Sequence, residues 1–71
     1  MEYTAKLEWD PEAAVWVATS DDILGLALES GSVDALIEKV RFAVPELLAL
    51  NHQPAASAIR FLIERYERIP A

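Results

Sequence analysis

Four acidic residues in the first half of the chain are the first candidates for chemistry: Asp10, Asp21, Asp22 and Glu29. Clustered carboxylates can hold two metal ions for phosphodiester hydrolysis. Such a site needs acids that converge from several elements, and the neighbours Asp21 and Asp22 would point apart in an extended chain. We therefore expect a non-enzymatic protein without a metal or cofactor site, and a metal-dependent nuclease is only a third hypothesis, after the two binding roles given below. Asp21 and Asp22 are then either a solvated turn or an acidic contact for a basic partner.

One histidine and two tryptophans complete the residue types of interest. His52 follows a predicted helix, where a protonated imidazole interacts favourably with the helix dipole, and the sequence shows neither an orienting acid nor a nucleophile for it. Trp9 and Trp16 could stack on nucleic-acid bases, but flanking cations are missing. We expect Trp9 to close the core and Trp16 to lie in the core or to anchor a chain contact.

Composition predicts a single domain over residues 1–71 that associates with other chains. The chain has no cysteine, which excludes disulfides and thiolate metal sites, yet 54% of its residues are hydrophobic. A domain of this size has little interior in which to bury apolar surface. The excess predicts a homo-oligomer, a dimer or a tetramer, with part of that surface in the interface.

The charge balance narrows the class of partner. Twelve acids and six bases give a net charge of −6. This opposes direct binding to nucleic acid, which needs a clustered cationic face, and favours encounter with a basic protein. No signal peptide precedes the first predicted strand, and no apolar run reaches the roughly 20 residues of a membrane span. We expect a cytoplasmic protein that does not enter the membrane.

The first thirty residues predict three strands. Strict alternation from Tyr3 to Trp9 indicates a half-buried strand, and a turn opened by Asp10 leads to a second strand at residues 15–19. That second strand is apolar on both faces, which is typical of a central strand or of a strand whose outer face meets a partner. After the Ser20-Asp21-Asp22 turn, alternation over residues 24–29 predicts a third strand, with Leu24 at its start.

A helix follows, and the last segment is ambiguous. Ser32 is a predicted N-cap, and an apolar stripe then repeats at helical spacing: Val33, Leu36, Ile37, Val40, Val44 and Leu47. We expect Pro45 to kink or break this helix, Phe42 to project from the opposite side, and Asn51 to adopt a left-handed cap. Residues 59–69 fit either a helix or a strand by periodicity.

These elements carry a family resemblance over essentially the whole chain. The chain resembles the HicB-like antitoxin superfamily, and more closely a small family within it that is described as a domain of unknown function. The matching segments are Trp9-Asp10-Pro11-Glu12, Trp16-Val17-Ala18, Ser20-Asp21-Asp22-Ile23-Leu24-Gly25-Leu26, Glu29, Val33-Asp34-Ala35-Leu36-Ile37-Glu38-Lys39-Val40 and Pro45-Glu46-Leu47-Leu48.

The resemblance implies an α+β domain with a β-β-β-α-β order, a partial version of the RNase H fold. One helix packs on an antiparallel meander, and Ile59 to about Tyr66 becomes a fourth strand in the same sheet. Members of the superfamily form dimers or larger assemblies, and the better-known ones mask the catalytic face of a small basic toxin that cleaves mRNA. Two departures are Leu24, where the family commonly has proline, and the expected absence of a separate DNA-binding domain before Ala71.

The resulting hypothesis is a HicB-like antitoxin or antitoxin-derived protein that oligomerises and masks a small basic toxin. The alternative is a structural oligomerisation or regulatory module without a toxin. Acidic residues would complement the basic partner, and apolar side chains would anchor chain contacts. The predicted partner-binding residues are Glu8, Trp16, Asp21, Asp22, Glu29 and Phe42.

Overall fold

The computed structural model of the protein describes residues 1–70 and has the predicted β-β-β-α-β order. Its elements are β1 (Glu2–Asp10), β2 (Val15–Thr19), β3 (Ala27–Ser30), α1 (Val33–Leu50) and β4 (Ala58–Glu64). The strands form one sheet in the order β3-β2-β1-β4. The first three are antiparallel neighbours and β4 pairs with β1 in parallel, so the sheet is mixed and the fold is α+β.

The alternation in β1 decides which side of the sheet carries the core. Tyr3, Ala5 and Leu7 are buried against α1, whereas the residues between them point to the opposite side, here called the outer face. The helix contributes the predicted stripe, extended to Leu48. The buried apolar residues are Tyr3, Ala5, Leu7, Ala18, Ile23, Leu26, Leu36, Val40, Val44 and Leu48.

The turn between β1 and β2 uses Asp10 as predicted. Its carboxylate Oδ1 accepts hydrogen bonds from the backbone N–H groups of Glu12 at 3.0 Å and Ala13 at 3.3 Å. Ala14 then takes a left-handed φ of 53° before β2 begins. The prediction that β2 is a central strand is confirmed, because β1 and β3 flank it.

The third strand is shorter than the alternation predicted. It begins at Ala27, and Leu24, expected on its apolar face, lies exposed in the preceding turn. Gly25 has a φ of +81°, which a glycine adopts at no steric cost, and the resulting turn lets both Ile23 and Leu26 enter the core. A regular strand would send these two residues to opposite faces, so the alternation was misleading here.

The helix starts at the predicted cap and continues through its proline. The Ser32 hydroxyl oxygen accepts a hydrogen bond from the backbone N–H of Ala35 at 3.4 Å. The prediction that Pro45 breaks the helix is wrong, since α1 is continuous to Leu50. Pro45 leaves the carbonyl of Arg41 without its helical donor, but both residues are exposed, so that carbonyl is accessible to water.

The left-handed residue after the helix lies one position later than predicted. Asn51 has a φ of −96°, and His52 is the left-handed residue, with a φ of 54°. The N–H of His52 donates to the carbonyl of Ala49, and the N–H of Gln53 donates to the carbonyl of Leu48 at 2.8 Å. These two bonds form a Schellman motif, which satisfies carbonyls that the helix end leaves open. His52 therefore has a backbone role at the helix end.

The last segment is a strand, and the helical alternative is wrong. Pairing runs from Glu2 with Ala58 to Glu8 with Glu64, so β4 ends two residues before the predicted limit at Tyr66. Among residues 1–70, no helix has the length and apolar character that a membrane crossing requires.

Candidate partner-binding surface

A row of acidic side chains crosses the outer face of the sheet. Glu29 in β3 is directly opposite Val17 in β2, Val17 is opposite Glu8 in β1, and Glu8 is opposite Glu64 in β4. Directly paired residues share a face of a sheet, with Cβ atoms about 5 Å apart. Three of the four positions in this row are therefore carboxylates, and we call Glu8, Glu29 and Glu64 the acidic row.

Little within the described chain neutralises the acidic row. The ammonium of Lys6 lies 3.8 Å from the carboxylate of Glu8, and both side chains are about half exposed. An exposed ion pair of this kind contributes about 0–1 kcal/mol. Among residues 1–70, neither Glu29 nor Glu64 takes part in an ion pair within 4.0 Å. The row therefore presents unneutralised negative charge to solvent.

The outer face as a whole carries most of the net charge. Asp21 and Asp22 line a shallow depression of about 400 Å³ together with the outer-face residues Lys6, Leu62 and Glu64. Seven acidic and two basic residues thus lie on this side of a chain of net charge −6: Glu2, Glu8, Asp10, Asp21, Asp22, Glu29 and Glu64 against Lys6 and Arg60. The predicted residues Glu8, Asp21, Asp22 and Glu29 all belong to this side.

The two adjacent aspartates have different roles. The Asp22 carboxylate accepts hydrogen bonds from the backbone N–H of Thr4 at 3.2 and 3.3 Å and from the Ser20 hydroxyl at 2.6 Å. It thereby holds the turn against β1. Asp21 is exposed and has no hydrogen bond or ion pair with another side chain or backbone group within residues 1–70. Of the pair, Asp21 is the carboxylate available to a partner.

The same turn is tied to the end of α1 by two amide side chains that the sequence analysis overlooked. The Gln53 amide accepts from the backbone N–H of Leu24 at 3.2 Å and donates to the carbonyl of Asp22 at 2.8 Å. The Asn51 amide donates to the carbonyl of Leu24 at 3.0 Å. A helix-ending Asn-His-Gln triplet was the available signal, but the long-range carbonyl targets are set by the tertiary structure.

Trp16 lies on the other side of the sheet, within an aromatic group. Its ring meets that of Trp9 edge to face, with centroids 5.5 Å apart, and the Arg65 guanidinium lies 4.2 Å from the centroid of Trp9. The expectation that Trp9 closes the core is wrong, because it lies outside the buried cluster and is only half-buried. No cation flanks the two tryptophans in the sequence, and Arg65, from the segment after β4, supplies one. Arg65 also forms an ion pair with Glu67 at 2.7 Å.

Phe42 lies on a third surface. It is 79% exposed on the side of α1 that faces away from the sheet, as predicted. The structure therefore places Glu8, Asp21, Asp22 and Glu29 on one side of the sheet, and Trp16 and Phe42 elsewhere. Within residues 1–70, no group of three or more histidine, aspartate or glutamate side chains is placed to hold a metal ion.

The family of this chain follows from comparison with known protein families. Residues 2–69 match the family described as a domain of unknown function, DUF1902. The chain belongs to the DUF1902 family. No curated protein matches this DUF1902 chain. Its fold is similar to the crystal structure of the hypothetical protein TTHA1013 from the extremely thermophilic bacterium Thermus thermophilus, with 34% identity, a TM-score of 0.78 and complete coverage of both chains.

Proposed function

We propose that this protein is a non-enzymatic binding protein that masks a small basic protein with the outer face of its sheet. The observation that carries the proposal is the acidic row, Glu8, Glu29 and Glu64, on a face with seven acidic and two basic residues. A face of one charge sign steers an oppositely charged partner toward it and disfavours polyanions. Val17, half-buried between Glu8 and Glu29, adds an apolar contact to the row.

The class of partner follows from the resemblance to HicB-like antitoxins. The β-β-β-α-β order and the acidic sheet support a relationship to that superfamily and to the partial RNase H fold. We propose accordingly that the partner is a small basic toxin that cleaves mRNA in the cytoplasm. The carboxylates would occupy the cationic surface with which such a toxin holds its RNA, so masking is both steric and electrostatic.

A non-enzymatic role is also supported by the structural hydrogen bonds of Asp22. Its carboxylate is engaged by Thr4 and Ser20, and so is committed to holding the turn. Metal-dependent RNA cleavage by the purified protein that is abolished in Asp22→Asn would overturn the non-enzymatic proposal.

The test looks for a short basic protein encoded beside this chain and expresses it alone and together with the chain. We expect growth arrest by the basic protein alone and rescue by coexpression. The double variant Glu8→Gln/Glu29→Gln should weaken binding about tenfold or more, since each 1.4 kcal/mol of lost interaction is a factor of ten. The affinity of the native pair should also fall as salt is added.

The matched control is Glu12→Gln/Glu46→Gln, which removes the same amount of charge from the β1–β2 turn and the exposed side of α1. If both double variants weaken binding equally, net charge and not the outer face is responsible. Equal toxicity of the basic protein with and without this chain would overturn the proposed function.

A second candidate is an oligomerisation or regulatory module without a toxin. The observation that favours it is the edge of β4, which no strand of residues 1–70 covers and which carries exposed Leu62 and Ile63.

A further inference from the structure

The strand β4 forms an open edge of the sheet. It pairs with β1 on one side, and on the other side no strand of residues 1–70 covers it. Seven residues without a proline present backbone donors and acceptors there. Leu62 is 46% exposed and Ile63 is 51% exposed, so apolar side chains accompany this free edge. An edge of this length with exposed apolar side chains is a template for pairing with another strand.

Two copies of β4 have complementary charges when they pair antiparallel in one register. Arg60 and Glu64 lie two residues on either side of Leu62, and all three point to the outer face. In an antiparallel two-fold pairing centred on Leu62, Arg60 of each copy is directly opposite Glu64 of the other. No other two-fold register centred within β4 pairs these charges. Opposite charges directly across an antiparallel pair are stabilising, whereas like charges are destabilising.

The helix-facing side of β4 fits the same register. Phe61 of one copy lies opposite Ile63 of the other, so two apolar pairs form. The helix leaves this strand partly uncovered, with a groove of about 360 Å³ between α1 and β4 that is lined in part by Val44, Pro45 and Phe61.

We propose that a second copy of this chain is the partner of the β4 edge, and that the two copies form a continuous eight-stranded sheet about a two-fold axis at Leu62. Such an interface is isologous, with the same residues contributed by both copies. Since paired residues share a face, both helices lie on one side of the sheet and both acidic rows on the other. The proposal does not depend on the basic partner of the proposed function.

The experiment measures molar mass by sedimentation equilibrium for the native protein and for Arg60→Glu and Glu64→Arg. The native protein should be a dimer. Each single variant places like charges opposite each other twice, and its dissociation constant should rise at least tenfold. An equal mixture of the two variants restores an opposite pair at both positions, and it should form a heterodimer of near-native affinity.

The control Glu46→Arg makes the same charge change as Glu64→Arg on the exposed side of α1 and should leave the dimer unchanged. Far-ultraviolet circular dichroism establishes that each variant is folded. In the native protein, amide hydrogen exchange within β4 should slow as protein concentration rises, which tests the edge without any substitution.

Three results would overturn the proposal. These are a native protein that stays monomeric, single variants that associate as tightly as the native chain, and a mixture of variants that remains monomeric. Each of these results concerns self-association alone. The outer-face proposal is tested separately, by the binding of a basic protein to Glu8→Gln/Glu29→Gln, which leaves Arg60 and Glu64 unchanged.

Discussion

The two edge strands of the sheet, β3 and β4, differ in length, in cover by α1 and in exposed apolar side chains. The β3 edge is four residues long, lies under the start of α1, and has the Lys39 ammonium donating to the carbonyl of Glu29 at 3.0 Å. The β4 edge is seven residues long and carries exposed Leu62 and Ile63. Short strands and edge lysines discourage pairing with other chains. The contrast supports the proposal that β4, and not β3, is the edge that pairs with a second copy.

The largest expected change in unfolding free energy comes from a substitution in the core between α1 and the sheet. Leu36 is fully buried in the layer between α1 and the sheet. Leu36→Ala should lower the free energy of unfolding by about 2–5 kcal/mol, because it removes buried methyl groups and leaves a cavity. Urea unfolding followed by circular dichroism measures this, and the loss should be similar at low and high protein concentration.

Phe42→Ala is the control for this prediction, on the opposite side of the same helix. It should change the free energy of unfolding by less than about 0.5 kcal/mol. A cost like that of Leu36→Ala would show that Phe42 is covered in the assembled protein and would add a second interface to the one at β4.

The next effect tests the open edge. Leu62→Ala removes apolar surface at the proposed two-fold axis, where the two Leu62 side chains meet, and should raise the dissociation constant of the dimer about tenfold, equivalent to 1.4 kcal/mol. The stability of the dilute monomer should barely change, because Leu62 is already 46% exposed in the single chain. A dilution series in the analytical ultracentrifuge measures both species. An unchanged dissociation constant would contradict pairing at Leu62.

An effect of similar size tests the turn between β2 and β3. Asp22→Ala removes the acceptor of the Thr4 N–H and one of two acceptors near the Ser20 hydroxyl, and it should cost about 1 kcal/mol of unfolding free energy. Asp21→Ala, its neighbour, should stay within about 0.5 kcal/mol of the native value. Thermal unfolding of the two variants side by side gives the comparison. Equal losses would mean that the two carboxylates are not divided into a structural and an exposed one.

The smallest effect tests the lysine at the β3 edge. Lys39→Met keeps most of the side-chain stem but loses the hydrogen bond to the Glu29 carbonyl, and an exposed bond of this kind should contribute about 0.5 kcal/mol. Its molar mass should match that of the native protein, since β3 is short and remains under α1. A variant that forms larger assemblies would show that Lys39 itself protects this edge.

The sequence predicted the structure best in segments whose apolar residues repeat with a single period. The alternation of Tyr3, Ala5 and Leu7 placed β1 and its buried face correctly, and the spacing of Leu36, Val40 and Val44 did the same for α1. In both segments the burial pattern follows directly from a local backbone repeat. The resemblance, and not periodicity, identified β4 as a strand, because its residues fit both periods.

The predictions were wrong at two places where one residue with a left-handed backbone interrupts the regular strand or helix. The left-handed φ of Gly25 breaks the predicted alternation over residues 24–29, so Leu26 is buried while Leu24, expected on the same face, is exposed. His52, and not Asn51, takes the left-handed position, because the Schellman bonds to Leu48 and Ala49 set where the helix ends. The candidate site was predicted in part for a similar reason. Charge identified the acids, but pairing register decided that Glu8 and Glu29 flank Val17.

The sequence by itself determined the order of the first three strands and the helix, the buried faces of β1 and α1, and the net negative charge. These depend on residue type and short-range period, which the chain carries locally. Only the tertiary structure decided that Asp22 holds a turn while Asp21 remains exposed, and that Trp16 lies on the face opposite the acidic row. It also left β4 at the edge of the sheet. These are long-range pairings, and no local repeat specifies which strand lies beside another.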